Sequence, residues 1–360
     1  MGCSSDSSIE RRKDINATKP EIDLHSSEPY SDNSENRKEE KYIGKEIIGK
    51  GNFGTVYRAE STISHKDCAV KVIDYFPQKR DLAYKEFNVL SECHHPNIIS
   101  FKESFKKKTD TNKTFNIVTE FVNGGTLKEK LDEQKNKNYE EITLIIWIIQ
   151  VCLGLSYLHN KKIIHRDIKP ENIFLTEKGL IKIGDLGLAK QYESKEDLKR
   201  QNTKAGTLCF MSPEMKNTQI YNDKTDIYSL GKTFLLFIGC KNNYSEEFKK
   251  LINILTEDNQ DKRPTADEIL KMPIIQNGMK VFLRKYNYRN SLAYIIMENL
   301  QKNNILKNEK DGNNDDFIKI IKKERKELTK ENELSDKYKE GKDLDILMCI
   351  IKYKISSLKI

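Results

Sequence analysis

A glycine-rich loop with β-type residues on both sides limits the folds open to this chain. The loop is Gly49-Lys50-Gly51-Asn52-Phe53-Gly54, with Ile47-Ile48 before it and Thr55-Val56-Tyr57 after it. Glycine lets a backbone approach a ligand closely. In a dinucleotide-binding fold such a loop opens a helix, whereas these flanks predict a β-hairpin that folds over a phosphate chain. A plain glycine hairpin would show the same pattern. The loop alone therefore does not identify a phosphate-binding site, and other motifs of the chain must support that interpretation.

A lysine inside an apolar strand gives the first support. Lys71 ends the run Cys68-Ala69-Val70-Lys71, and a buried ammonium is costly unless it is paired. Nucleotide phosphates and a carboxylate on the following helix are suitable partners. Glu86 is the candidate carboxylate and Glu92 its rival, although Glu92 lies close to the end of the helical pattern. The alternative that Glu86 is only a surface charge stays open at this point.

Two further motifs follow in order. Residues 165–172 are HRDIKPEN, and residues 185–187 are DLG. With the glycine loop and Lys71, they resemble the eukaryotic protein kinase family over residues 42–276. The resemblance implies an α+β, two-lobed protein kinase fold. The N-lobe, 42–122, would be small and β-rich with one main helix, and the C-lobe, 123–276, larger and mostly helical.

The resemblance assigns a role to each residue of these motifs. Asp167 would be the catalytic base, with Lys169 beside the transferring phosphate. Asn172 and Asp185 would bind Mg²⁺, and Lys71 would hold ATP through its α- and β-phosphates. The predicted ATP-binding residues are Ile48, Gly49, Lys50, Gly51, Asn52, Phe53, Gly54, Val56, Ala69, Lys71, Glu86, Thr119, Glu120, Val122, Phe174 and Asp185.

The same motifs predict the acceptor. Lysine at position 169 is typical of serine/threonine kinases, so protein substrates with Ser or Thr hydroxyls are expected. Residues 172–176 and 181–185 are similar to NIMA-related kinases, and residues 206–214 also resemble the translation-initiation-factor kinases. Leu186 replaces the usual phenylalanine of the DFG triplet but keeps an apolar side chain there. The rival hypothesis is a pseudokinase scaffold, which would be expected to have lost Lys71, Asp167 or Asp185.

The activation segment, residues 185–214, predicts regulation. By resemblance, a phosphate on Thr203 would pair with Arg166, placed there by an upstream kinase or by autophosphorylation. Glu214 is expected to pair with Arg263, and Asp226 to hold the backbone of the catalytic loop. The stretch between Asp226 and Arg263 is short for the family, which predicts a reduced docking helix near residues 242–254.

The ends of the chain carry less information. Residues 1–41 are polar and predicted to be disordered. They begin Met1-Gly2-Cys3, which is compatible with myristoylation of Gly2 and palmitoylation of Cys3, or with an ordinary flexible start; Asp6 departs from the usual acylation signal. Residues 277–360 are predicted to be a Lys-rich, mostly helical extension.

Composition limits the compartment and the partners. The net charge is +8, which we attribute to a solvated lysine-rich surface, and no nucleic-acid partner is expected. Seven scattered cysteines without CxxC spacing predict reduced thiols. A cytoplasmic protein is therefore expected, tethered to a membrane if the N terminus is acylated. The apolar run 142–155 is predicted to be a buried helix and not a membrane span.

Overall fold

The computed structural model describes residues 23–24, 41–51, 54–108, 113–133, 139–192, 206–218, 220–239 and 244–285. An antiparallel sheet with one helix forms the smaller part of this structure, and helices form most of the larger part. The predicted two-lobed α+β architecture is therefore confirmed. The predictions for Gly2, Cys3, Asn52, Phe53 and Thr203 lie outside the described residues.

The N-lobe sheet has six strands in the order β1-β2-β3-β4-β6-β5, and all neighbours are antiparallel. Strand β4 is buried on both faces: Cys68 and Val70 pack in a small cluster on one face, and Ile73 joins the main core on the other face, the one that also carries Lys71. The strands are β1 (Asp23–Leu24), β2 (Tyr42–Gly51), β3 (Gly54–Ser61), β4 (Asp67–Asp74), β5 (Phe101–Lys108) and β6 (Lys113–Glu120).

One helix packs on this sheet. Helix α1, Pro77–Ser91, begins with proline in its first turn, where the missing N–H has no helical partner to lose. It buries Ala83, Val89 and Leu90. Glu86 is also buried, at 5% exposed, and its carboxylate reaches Lys71 of β4. The sheet and helix together therefore bring Lys71 and Glu86 to the inside of the lobe.

The C-lobe is built around one long apolar helix. Every side chain of helix α3 from Leu144 to Leu155 is buried. Within the described residues this helix is long and apolar enough to cross a membrane, but it lies in the core of the lobe, as predicted. The C-lobe helices are α2 (Leu127–Glu133), α3 (Glu141–Asn160), α4 (Pro213–Asn217), α5 (Lys224–Ile238), α6 (Glu246–Leu255), α7 (Ala266–Lys271) and α8 (Pro273–Lys285).

Four short strands carry the catalytic segments across the face of the C-lobe. Strands β8 and β9 pair with each other, and β7 pairs with β10. The loop between β7 and β8 holds residues 165–172, and the residues after β9 begin the activation segment. The bounds are β7 (Ile163–Ile164), β8 (Ile173–Leu175), β9 (Ile181–Ile183) and β10 (Lys190–Gln191).

Two predicted boundaries differ from the structure. Ile275 and Met279 are both buried against α3, because they lie one turn apart on the same face of α8. The predicted end of the kinase domain at residue 276 therefore falls inside this helix. Within residues 1–41, Asp23–Leu24 pairs with the start of β2, so this part of the segment predicted to be disordered adds a strand to the sheet.

Helix α6 lies in the short stretch between α5 and Arg263, and its apolar face packs on the core of the C-lobe. It buries Phe248, Leu251, Ile252 and Leu255. A helix was predicted near residues 242–254, and α6 overlaps it. Among the described residues between Asp226 and Arg263, α5 and α6 are the helices present, and no further helix stands out from this face.

Gly231 sets the close approach of α5 and α6. A Cβ at this position would lie 2.7 Å from Thr256 Cγ2 and 2.8 Å from Leu255 Cβ. We expect Gly231→Ala to lower the free energy of unfolding by about 1–3 kcal/mol, because the two helices must move apart. Urea unfolding measures this. Lys232→Ala, one residue further along, is the control and should stay within about 0.5 kcal/mol. Equal stability of both variants would contradict the packing described here.

Candidate active site

A cavity of about 520 Å³ lies between the two lobes. Its walls come from the glycine loop, β4, α1, the segment after β6, the catalytic loop and the start of the activation segment. A cavity of this size suits a small organic ligand. All the predicted ATP-binding residues in the described part of the chain line it: Ile48, Gly49, Lys50, Gly51, Gly54, Val56, Ala69, Lys71, Glu86, Thr119, Glu120, Val122, Phe174 and Asp185.

Lys71 lies between two carboxylates at the back of this cavity. Its Nζ is 2.7 Å from both carboxylate oxygens of Glu86 and 3.2 Å from Oδ1 of Asp185. Burial alone would lower the pKa of Lys71, but the charges of Glu86 and Asp185 outweigh it and raise the pKa. The lysine is therefore held as a cation. Glu92, the rival carboxylate, lies just past the end of α1, so the structure pairs Lys71 with Glu86.

Three side chains, two from the catalytic loop and one from the activation segment, surround the Asp167 carboxylate. Asp167 Oδ2 lies 2.7 Å from Lys169 Nζ and accepts a hydrogen bond from Asn172 Nδ2 at 3.0 Å. Asp167 Oδ1 accepts from the backbone N–H and the hydroxyl of Thr207, each at 2.9 Å. Lys169 Nζ also donates to the Thr207 hydroxyl at 2.7 Å. Thr207 thus contacts the catalytic loop, and the Asp167 carboxylate is fixed from two sides.

Asp226 holds the backbone of this loop, as predicted. Its carboxylate accepts from the N–H groups of His165 at 2.9 Å and Arg166 at 2.8 Å. Arg166 has φ of 68°, a conformation that is costly for a residue with a side chain. The bond to Asp226 helps to maintain it. The Arg166 guanidinium donates to the carbonyl of Leu188 and to the hydroxyl of Tyr221, so it lies beside the activation segment.

Asp185 and Asn172 present oxygen atoms to the cavity. The side chain of Asp185 is 39% exposed, and the charge of Lys71 lowers its pKa even though burial opposes this. The amide nitrogen of Asn172 is committed to Asp167, which leaves its amide oxygen as the atom available for a ligand. A carboxylate and an amide oxygen are suitable ligands for Mg²⁺, which usually binds few protein groups plus phosphates and water. The residues present therefore fit a nucleotide-bound magnesium ion.

A buried ion pair lies at the end of β6, next to the segment that lines the cavity. Oε1 of Glu120 lies 2.7 Å from Lys182 Nζ and accepts from the backbone N–H of Ser100 at 2.9 Å. Both charged side chains are buried. The Glu120 carboxylate is thus held by Lys182 and Ser100.

Some residues of the cavity were missed by the sequence reasoning. Leu90, Ile99, Ile117 and Leu186 form its apolar rear wall, and their sequence patterns predict only burial in a core. Others lie at the start of α2 or within the catalytic loop: Thr126, Lys128, Glu129 and Glu171. Glu171 stands inside the HRDIKPEN motif, so its position next to Asn172 was the available signal.

A buried ion pair connects the end of the activation segment with a part of the C-lobe that is distant in sequence. Arg263, fully buried, donates from Nη1 and Nη2 to the two carboxylate oxygens of Glu214 at 2.8 and 3.0 Å. This pair was predicted. It anchors α4 to the segment that precedes α7.

Comparisons with known proteins agree with this geometry. A family model described as protein kinase domain matches residues 42–241. The chain is 32% identical over 289 residues to putative serine/threonine-protein kinase A of Trypanosoma brucei brucei, covering 72% of this chain and 66% of that protein.

Two animal proteins are similar to the same part of the chain. Serine/threonine-protein kinase Nek5 of Homo sapiens is 33% identical over 286 residues, which cover 72% of this chain and 40% of that protein. Serine/threonine-protein kinase Nek1 of Mus musculus is 32% identical over 271 residues, covering 68% and 22%. The chain thus spans less than two thirds of the length of these relatives. Their names agree with the predicted resemblance to NIMA-related kinases.

Proposed function

The chain belongs to the protein kinase family, and from that premise we propose that it transfers the γ-phosphate of ATP to serine and threonine hydroxyls of proteins. The observation that carries this proposal is the Asp167 carboxylate, held by Lys169, Asn172 and Thr207 next to a cavity that already contains the Lys71–Glu86 ion pair. The serine/threonine names of the relatives support the choice of acceptor.

Each side chain then has a task that its position allows. Asp167 accepts the proton of the acceptor hydroxyl and orients its oxygen toward the phosphate. Lys169, bonded to both Asp167 and Thr207, neutralises charge as it develops beside that carboxylate. Lys71 places a fixed positive charge at the back of the cavity, where Glu86 prevents it from turning away. Magnesium, when bound by Asp185 and Asn172, supplies further neutralisation of the phosphate oxygens.

The pseudokinase scaffold is the second candidate. A scaffold binds partners through its fold and its cavity, and it does not require the carboxylates of Asp167 and Asp185 for catalysis. Lys71, Asp167, Asn172 and Asp185 are all present, and they converge in the described structure. These residues therefore favour the enzyme.

A transfer assay tests the proposal. Purified protein is incubated with labelled ATP, Mg²⁺ and a generic basic acceptor protein, and the acceptor is then hydrolysed to identify the labelled amino acid. We expect phosphoserine and phosphothreonine, and no label once a chelator has removed Mg²⁺. Label on tyrosine alone would exclude the proposed acceptor class. Absence of transfer, including from protein phosphorylated at Thr203, would favour the scaffold.

We expect regulation through Thr203, which lies outside the described residues. Thr203→Ala is predicted to lower kcat about tenfold or more, equivalent to one lost charge-assisted hydrogen bond to Arg166. Steady-state kinetics of protein activated by an upstream kinase or by its own activity measure this. Ser194, in the same segment, is the weaker phosphosite candidate, so Ser194→Ala is expected to lower kcat less than Thr203→Ala. Full activity of the Thr203→Ala protein would exclude this switch.

Location stays a prediction. A cytoplasmic protein is proposed, with membrane association if Gly2 and Cys3 are acylated. Labelled myristate supplied to cells that express the chain would be incorporated into the wild type and not into Gly2→Ala. If neither protein incorporates myristate, residues 1–6 are not an acylation signal, and the alternative of an ordinary N-terminal segment is correct.

A further inference from the structure

Arg58 of β3 lies beside the sheet face that forms part of the cavity. The register places Arg58 opposite Ala69 of β4, and Ala69 opposite Thr119 of β6. Opposite residues of an antiparallel pair share one face of the sheet, and Ala69 and Thr119 both line the cavity. Arg58 is not among the lining residues. It therefore stands at the edge of the cavity, where it can act on a bound nucleotide through a neighbouring residue.

That neighbour is Phe121, the first residue after β6. The guanidinium carbon of Arg58 lies 4.9 Å from the centroid of the Phe121 ring, within the range of a cation–π contact. Phe121 lines the cavity and stands between Glu120 and Val122, two of the predicted ATP-binding residues. Because β6 ends at Glu120, Phe121 lies beyond the hydrogen-bonded ladder of the sheet. The ring contact thus connects this segment with the sheet.

Two carboxylates fix the Arg58 guanidinium in its place. Nε donates to Oδ2 of Asp67 at 2.9 Å, and Nη1 donates to Oε1 of Glu46 at 3.1 Å. Lys45 donates to the other oxygen of Asp67, also at 2.9 Å, so this carboxylate is itself held from a second side. A planar guanidinium that is held at its edge keeps its face available for stacking on a ring. The orientation of Arg58 toward Phe121 is therefore set before a nucleotide binds.

The residue before Phe121 is held from the other lobe. The carboxylate of Glu120 lies 2.7 Å from Nζ of Lys182 in β9. Segment 120–122 is thus held by β9 at Glu120 and by β3 at Phe121. Without the contact to Arg58, the backbone after Glu120 is free to shift. Its N–H and C=O groups suit the edge of the nucleotide base, whereas the phosphates meet Lys71, so a shift would weaken binding of the base.

We propose that Arg58 is a positioning residue for nucleotide binding: its guanidinium, stacked on Phe121, sets the orientation of segment 120–122 against the nucleotide base. This inference rests on the proposed function, which makes ATP the ligand of the cavity. It predicts that the affinities for ATP and for adenosine fall by the same factor when Arg58 is replaced, because both carry the base. The value of kcat should be retained, since Asp167 is held by other contacts.

Isothermal titration of the full chain with adenosine, and with ATP and Mg²⁺, tests the proposal. We expect Arg58→Ala to raise both dissociation constants about three- to fivefold, the size of a partly exposed cation–π contact. At saturating ATP, kcat should stay within about twofold of the wild type. Arg58→Lys keeps a cation that can reach the ring, so both constants should stay within about twofold. Lys45→Ala, which removes another cation bound to Asp67, is the matched control and should keep both affinities.

A double-variant cycle tests whether the ring transmits the effect. Phe121→Leu should weaken adenosine binding, and adding Arg58→Ala to it should change the affinity by less than about 1.5-fold. Independent effects of the two substitutions would overturn the proposal. Weaker binding of ATP with full affinity for adenosine would also overturn it, because Arg58 would then act on the phosphates directly.

Thermal unfolding shows which fraction of each variant is folded, and the affinities are expressed per folded molecule. If Arg58→Ala does not fold, Arg58→Gln, which removes the cation but keeps a longer side chain, is expected to show the same three- to fivefold change. Unchanged affinities in a folded variant would overturn the proposal. A wild type that binds both ligands but transfers no phosphate would refute the proposed function alone, whereas a wild type that binds neither would refute both.

Discussion

Replacing Asp167 with asparagine is expected to lower kcat by about 100- to 10,000-fold, the usual contribution of a positioned general base. The amide has nearly the same volume as the carboxylate, but it cannot accept a proton. Its nitrogen would also face N–H or O–H donors, because both oxygens of Asp167 accept hydrogen bonds from Asn172 and Thr207. The loss should therefore appear in the chemical step.

The measurement is steady-state transfer to a serine peptide, together with nucleotide affinity. The affinity for ATP should change little, since Asp167 is not among the residues that line the cavity. Glu246→Gln makes the same chemical change at an exposed ion pair on α6 and should leave kcat unchanged. An Asp167→Asn protein with at least a tenth of wild-type kcat would show that another group acts as the base.

Replacing Arg263 with methionine is expected to lower the free energy of unfolding by about 3–5 kcal/mol, because it removes one partner of a buried ion pair. The guanidinium of Arg263 is fully buried and binds both oxygens of Glu214. It also donates to the carbonyls of Glu257, Lys224 and Asp258. All of these acceptors would lose their partner at once, and methionine offers no donor to replace it.

Urea unfolding followed by fluorescence measures this loss. Lys249→Met breaks an ion pair on the surface of α6, where a pair contributes about 0–1 kcal/mol, and is the matched control. A loss below about 1 kcal/mol for Arg263→Met would mean that Glu214 finds another partner. The double variant Glu214→Leu/Arg263→Met should recover part of the stability, since it removes the buried unpaired charge.

Sequence alone predicted the features that a short motif carries. The lysine of an apolar strand requires a counter-ion, and Glu86 fulfils this requirement in the structure. The glycine loop closes as a hairpin between β2 and β3, with Gly51 opposite Gly54. Both follow from the local chemistry of a few neighbouring residues.

Contacts between distant segments could not be predicted in the same way. Lys182 pairs with Glu120, and His159 with Asp226, across 60 or more residues of chain. Each of these residues also suits a solvated surface, and only the tertiary fold brings the partners together. Leu90, Ile99 and Ile117 show the same limit, because their apolar side chains predict burial but not a place in the cavity wall.

The helix that continues past the predicted domain end at residue 276 could not be predicted either. Residues near 276 mark the end of the recognisable motifs, and Asn277-Gly278 is a pair typical of a helix end. The helix continues because Met279 follows Ile275 by one turn and packs on α3. Two apolar residues at helical spacing, Ile275 and Met279, are too few to predict the continued helix from the sequence.

A single-turnover experiment tests the central claim, that this chain transfers the phosphate it binds, most directly. Enzyme in excess over labelled ATP, with Mg²⁺ and a peptide that contains serine and threonine, is quenched at successive times. The same preparation is tested for nucleotide binding. The account predicts that bound ATP is consumed at one rate and that the label appears on the peptide at that rate. ATP that is bound but remains intact, with no labelled peptide, would contradict it and identify a nucleotide-binding scaffold.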